Sequence, residues 1–216
     1  MLRPMVQGPR SDSTGQTRWI EGTGRIEAFS DGVYAIAITL LVLNLGIPTG
    51  LADGQVWGAI ADEGAKFLGA GISFVVIGMY WWAHHRIFEG LHRTSTALVW
   101  LNLAHLATIV FLPFPTVVFA EYSDTFAGVT LYALTVAAAS FTTAMLAWVA
   151  WHSDLTDPDR NIPNLRGAFI GLSATGTVFV VSIGVAAVNP SIAPYLWPLA
   201  AVADRPLDWI AARKAS

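Results

Sequence analysis

The 216-residue chain contains no cysteine. That removes a disulfide framework, a thiolate nucleophile and every Cys-based zinc or iron–sulfur site, and with them any reading of redox compartment. Charge is also scarce: Asp, Glu, Lys and Arg make up 12% of residues, about half of what an average soluble domain carries. The net charge of -3 and the lack of any Lys/Arg run leave no basic surface for nucleic acid. The motifs of common catalytic and binding sites are missing. There is no H-E-x-x-H, no G-x-S-x-G, no P-loop and no EF-hand loop. Without a converging nucleophile–base pair or metal constellation, an intramembrane enzyme has nothing to work with. No arginine ladder exists for voltage sensing and no T-V-G-Y-G filter for potassium. No cofactor is implied.

What the chain does have is apolar mass: 54% hydrophobic residues and nine tryptophans, with a mean hydropathy of +0.54. A membrane-spanning helix needs roughly 20 predominantly apolar residues. Five segments qualify, at about 26–47, 65–83, 96–119, 125–151 and 165–188, with a shorter sixth near 191–204 that contains Pro194 and Pro198. Pro113 and Pro115 each remove a backbone donor and are expected to kink or end the third segment. Short loops favour antiparallel neighbours in one bundle. The expected organisation is a polar tail at 1–22 that lacks the apolar stretch of a signal peptide, a six-helix membrane domain at 23–204 and a basic tail at 205–216.

Charge placement orients the chain. With the N-terminus cytoplasmic, the inner segments hold Arg3, Arg10, Arg18, Arg25, Arg86, Arg93, Arg160, Arg166, Arg205, Arg213 and Lys214, and the outer ones hold only Lys66. This strong positive-inside bias supports an even number of crossings, both termini cytoplasmic and a multi-pass protein of the inner (plasma) membrane. Ser123 or Asp124 is expected to cap the fourth long helix. Asp154, Asp157 and Asp159 read as a solvated loop.

The first segment, RIEAFSDGVYAIAITLLVLNL, carries Arg25, Glu27, Ser30 and Asp31 near one end. A helix beginning at Ser30 would be too short to span, so it begins near Thr23 and Asp31 lies in its second or third turn. A carboxylate there must face protein or water and be paired. Arg25 is six residues away, beyond i,i+4 reach, so the partner belongs to another helix. Ile36, Leu40 and Leu43 form an i, i+4, i+7 stripe with Thr39 beside it, which on spacing alone is an ordinary apolar face.

The segment WWAHHRIF ends the second helix at the same depth as Asp31, so Trp81 and His84 are both in reach of that carboxylate. Its ordinary reading is an interfacial anchor. His85 and His92 are expected to face solvent. Asn102 and His105, i,i+3 in the third span, read as interhelical glue.

The pattern R-x-x-x-F-S-D at Arg25, Phe29, Ser30 and Asp31, followed by G-V-Y-A-I-A-I-T-L-L-V-L, resembles the transmembrane protein 175 potassium channel family in its prokaryotic form. WWAHHRIF, the L-N-L around Asn102 and the L-P-F-P-T of Leu112–Thr116 resemble it too. The resemblance implies an all-α integral membrane protein of six spans per chain, assembled as a homotetramer in the lipid bilayer. It implies passive conduction of potassium ions along a pore built by the first helix on the tetramer axis. By position, Ile36, Leu40 and Leu43 are the narrow apolar residues and Thr39 a polar layer, with no fixed ion site. Arg25, Phe29, Ser30 and Asp31 are a structural network with Trp81, His84 and Asn102. Eukaryotic endolysosomal members carry two such repeats and also conduct protons, so a proton channel or proton-coupled secondary transporter is the competing expectation.

Overall fold

The structure is a computed structural model that describes residues 19–21, 23–153, 155–156 and 164–203. The expected tails, the loop carboxylates Asp154, Asp157 and Asp159, and the end of the sixth segment lie outside the described residues. Among the described residues eight α-helices follow one another: α1 Gly24–Leu43, α2 Asp53–Asp62, α3 Gly64–Glu89, α4 Thr96–Phe111, α5 Pro113–Glu121, α6 Phe126–His152, α7 Leu165–Ala186 and α8 Pro198–Ala203. A 3-10 turn at Ala193–Leu196 precedes α8.

Local chemistry sets the helix starts. The Ser95 hydroxyl accepts from Leu98 N at 3.2 Å to cap α4, and Asn164 Oδ1 accepts from Gly167 N at 2.8 Å to cap α7. The cap of α6 is Thr125, whose hydroxyl accepts from Gly128 N at 3.1 Å, rather than Ser123 or Asp124. These caps satisfy donors that the first helical turn leaves free. The Tyr122 carbonyl lies where a Cβ on residue 128 would sit, so the turn into α6 requires glycine. The prolines break the third crossing as expected: α4 gives way at Leu112 to α5, with Pro113 in its first turn.

The two ends of the bundle differ in charge. At one end β1 (Trp19–Glu21) pairs antiparallel with β2 (Arg93–Ser95), in the register Trp19 to Ser95 and Glu21 to Arg93. A lone bridge joins Leu91 to Thr156. This end gathers the start of α1, the end of α3, the start of α4, the end of α6 and the start of α7, and with them Arg25, Arg86, Arg93 and Arg166. At the other end Lys66 lies 3.0 Å from Glu63 and 3.2 Å from Glu121. The long helices therefore alternate in direction. Among the described residues five crossings are long and apolar enough to span a membrane, α4 and α5 together forming one of 26 residues with a mean hydropathy of 1.9.

The sixth segment does not complete a span within the described residues. Trp197 Nε1 donates to Ser182 Oγ at 3.1 Å, and the Thr175 hydroxyl donates to the Ala200 carbonyl at 3.5 Å. The 3-10 turn and α8 thus run back along α7 to about half its length. Two further elements were not legible as spans or tails: the small sheet and α2, which buries none of its residues and leaves Trp57 80% exposed.

Helix α6 is the centre of the bundle, packed by α7, α4, α5 and α3, and more than half of its span is buried. Helix α1 sits on the outside against α3, α4 and α5. One core cluster, around Tyr34, Ile77, Ile109 and Tyr132, fills the middle of the bundle. A second, around Ile87, Phe88, Leu98 and Leu146, fills the basic end.

The first helix and its polar contacts

Helix α1 has two unlike faces. Ser30, Tyr34, Ala37 and Leu41 recur every three to four residues and are buried against the bundle. That spacing is one face of a helix. The opposite face carries Phe29, Ile36 and Leu43, which are 56%, 59% and 75% exposed. Thr39 is also exposed, while Leu40 is half-buried at the border of the two faces. The Thr39 hydroxyl donates to its own helix, at the Ile36 carbonyl, 2.8 Å away.

Asp31 lies at the other border and is held by Trp81, whose Nε1 donates to Oδ1 at 2.8 Å. The indole is fixed in turn by stacking on His85, with ring centroids 5.7 Å apart and planes 17° from parallel. His85 is therefore half-buried rather than solvent-facing. So is His92, whose Nε2 accepts from Arg93 Nε at 2.7 Å. His84, the other candidate partner of Asp31, goes elsewhere. Its Nε2 donates to Asn102 Oδ1 at 2.7 Å, and Asn102 Nδ2 donates to Ser30 Oγ at 3.0 Å. All three side chains are 1% exposed or less. Because an amide oxygen only accepts, this pairing places the His84 proton on Nε2. The structure thus joins Ser30, Asn102 and His84 in one chain, and Asp31 and Trp81 in a second. Arg25 and Phe29 enter neither: both are exposed, and Phe29 shares the open face with Ile36.

Sequence reasoning missed Tyr34. Its hydroxyl meets His105 Nε2 at 2.6 Å across 71 residues of sequence. His105 Nδ1 lies 3.0 Å from the Thr142 hydroxyl and 3.3 Å from that of Thr143. Both threonines already donate to backbone carbonyls of α6, at 2.8 Å each, so each can only accept from the imidazole. His105 therefore carries its proton on Nδ1 and Tyr34 donates to Nε2. The chain runs in one direction, from α1 through α4 to α6. The signal available in the sequence was Tyr34 at i+4 from Ser30, on the same helical face.

A bundle of long apolar helices with a buried polar seam, charge separated to its two ends and one amphiphilic outer helix defines a multi-pass helical membrane protein. Comparison with known proteins narrows this. The family model described as endosomal/lysosomal potassium channel TMEM175 matches residues 25–113. A protein of Streptomyces collinus named a potassium channel is 33% identical over 172 residues, covering 77% of this chain and 84% of that protein. A Chamaesiphon minutus protein named a potassium channel is 44% identical over 107 residues, covering 46% of this chain and 50% of its own. The crystal structure of a Chamaesiphon minutus homolog, described as a lysosomal potassium-selective channel TMEM175 homolog, aligns with a TM-score of 0.69 and 28% identity over 84% of this chain and 95% of that one. Human TMEM175, named an endosomal/lysosomal proton channel, is 38% identical over 97 residues, covering 41% of this chain and 19% of that protein. The chain belongs to the TMEM175 family, a family of ion channels and not of enzymes.

Proposed function

We propose that the protein is a passive potassium channel whose conduction path is built by α1 from four copies on a common axis. The observation that carries this reading is the two-faced character of α1. Its tyrosine-bearing face is tied into the bundle, and its Ile36–Thr39–Leu43 face is exposed, with no partner among the described residues. Closed symmetry would bring four such faces together and turn each residue into a ring. A ring of Ile36 makes a narrow apolar neck that excludes water and ions until it widens. Leu40 and Leu43 extend the apolar lining and Thr39 supplies a polar layer of hydroxyl oxygens. The names of the Streptomyces and Chamaesiphon relatives support potassium as the ion.

The two polar chains act behind this surface. Trp81–Asp31 and His84–Asn102–Ser30 fix the height and rotation of α1 on α3 and α4, with Arg25 and Phe29 completing the motif at the basic end. The concentration of arginine at that end supports a cytoplasmic side there, with both chain termini on the same side of the inner membrane. The sixth segment completes its return in this reading.

Purified protein in liposomes is expected to release potassium down its gradient, and a potassium/sodium gradient gives a reversal potential on the potassium side. A folded oligomer that passes no potassium would refute the proposal. The human relative's name favours protons as a second reading. Flux that follows a pH gradient and ignores the potassium gradient would select it.

A further inference from the structure

A cavity of about 410 Å³ lies between α3, α5, α6, α7 and the returning α8, within the roughly 300–1,000 Å³ range of small-molecule sites. It sits at hydrocarbon depth, since its walls are drawn from residues 69–83 of α3 and 172–179 of α7, inside their spans. Ile72, Val76, Met79, Leu172, Phe179 and Trp197 give it an apolar lining.

The polar groups in the wall decide what fits. Thr116 donates to the Leu112 carbonyl at 2.9 Å. Ser73 therefore donates to Thr116 at 2.7 Å, and Tyr132 to Ser73 at 3.2 Å. Ser140 donates to the Val136 carbonyl at 2.9 Å, and the Tyr80 hydroxyl lies 3.1 Å from the same carbonyl and 2.5 Å from Ser140 Oγ, so one of these two acceptors takes its hydrogen. Trp197 donates to Ser182, and Thr175 to the Ala200 carbonyl. Each of these hydrogens is spent within the wall and none is left for a ligand. A guest that accepts hydrogen bonds would lose its donors on entry, at a cost of about 1–3 kcal/mol per group. An apolar guest loses nothing and restores the dispersion contacts that an empty space forfeits.

The exposed members of the lining are Ile72 and Met79, each 47% exposed, and Pro198 and Ala201 of α8. The mouth therefore lies between α3 and α8 and continues into the apolar outer surface of α3, where Phe74 and Val75 are 55% and 57% exposed. In sequence, residues 204–216 follow α8. They hold Asp204, Arg205, Asp208, Arg213 and Lys214, charges an apolar space does not accept.

We propose that this cavity holds one acyl tail of a membrane lipid, inserted sideways between α3 and α8. The test places a photo-crosslinking benzophenone amino acid at Met79, and in a second variant at Val75, in the full chain. Each protein is purified in detergent without added lipid and irradiated, and the products are weighed. A retained tail gives a lipid adduct at Met79 and little at Val75. Leu172→Trp, which fills the cavity, removes the Met79 adduct, and Val76→Phe does so by a smaller intrusion should Leu172→Trp fail to fold. Equal labelling at both positions, no adduct at Met79, a crosslink to a second copy or a crosslink to residues 204–216 would each overturn the proposal.

Discussion

Replacing Asn102 by leucine tests how firmly α1 is held. The side chains are close in shape, so the packing change is small. What is lost is the amide that bridges His84 and Ser30. Ser30 can turn its hydroxyl to a carbonyl of its own helix. His84 has no such recourse: it is 1% exposed, and its Nε2–H would be left without an acceptor. An orphaned buried donor costs about 1–3 kcal/mol, while interhelical hydrogen bonds within membranes average nearer ~0.6 kcal/mol. The expected loss for Asn102→Leu is thus about 1–2 kcal/mol. His84→Phe keeps the ring stacked on Phe88, whose centroid is 4.3 Å away at 18°, but leaves the Asn102 oxygen unpaired. The double variant removes both polar partners together and is expected to recover about 1 kcal/mol relative to the sum of the singles. Loss of helix in mixed micelles with rising SDS, followed by circular dichroism, measures all three. Effects that add to within about 0.3 kcal/mol would show that His84 and Asn102 are not coupled and refute the reasoning.

Trp81→Phe removes the 2.8 Å bond to Asp31 at a half-exposed site and should cost about 0.5–1.5 kcal/mol. The yield of assembled oligomer on size exclusion should fall while reversal potential holds, as it should for Asp31→Ala. Gly128→Ala drives a methyl into the Tyr122 carbonyl at the start of α6 and should destabilise by about 1–3 kcal/mol, seen as a lower midpoint in thermal unfolding. Ile36→Asn keeps the proposed neck wet and should raise basal current or change ion preference in planar bilayers. A parental current would move the constriction elsewhere.

The spans were legible because bilayer thickness demands long apolar runs, and α1, α3, α6 and α7 begin within two residues of where hydropathy puts them. The break at Leu112 was legible because a proline cannot donate. Facing was harder. Along α6 the residues are small or apolar on every side, so nothing in its periodicity marks Thr142 and Thr143 as partners of His105. The link from Tyr34 to His105 crosses 71 residues and joins two residue types that are common in membrane helices. Trp81 and His84 were both in reach of Asp31, and the choice fell to geometry: the indole projects to the border where Asp31 lies, and the imidazole points inward to Asn102. The end of α3 runs to Glu89, six residues past its expected limit, because Ile87 and Phe88 are buried in the second core cluster and extend the helix beyond the hydrophobic run. The small sheet escaped notice because three-residue strands carry no periodic signal.

The ties on α1 are unevenly spread along its length. Ser30, Asp31 and Tyr34 bond to other helices, whereas among the described residues Thr39 and Asn44 bond to their own backbone. In its hydrogen bonds, α1 is a cantilever fixed over its first half, while packing of Ala37 and Leu41 holds the second. At 1.5 Å per residue, Ile36 is about 3 Å beyond the last tie and Leu43 about 13.5 Å. A tilt of about 10° about Tyr34 moves Leu43 by ~2.3 Å and Ile36 by only ~0.5 Å. Tilting therefore flares the far end and hardly touches Ile36. To move that residue by a comparable amount, the helix must turn about its own axis, which the three ties oppose directly.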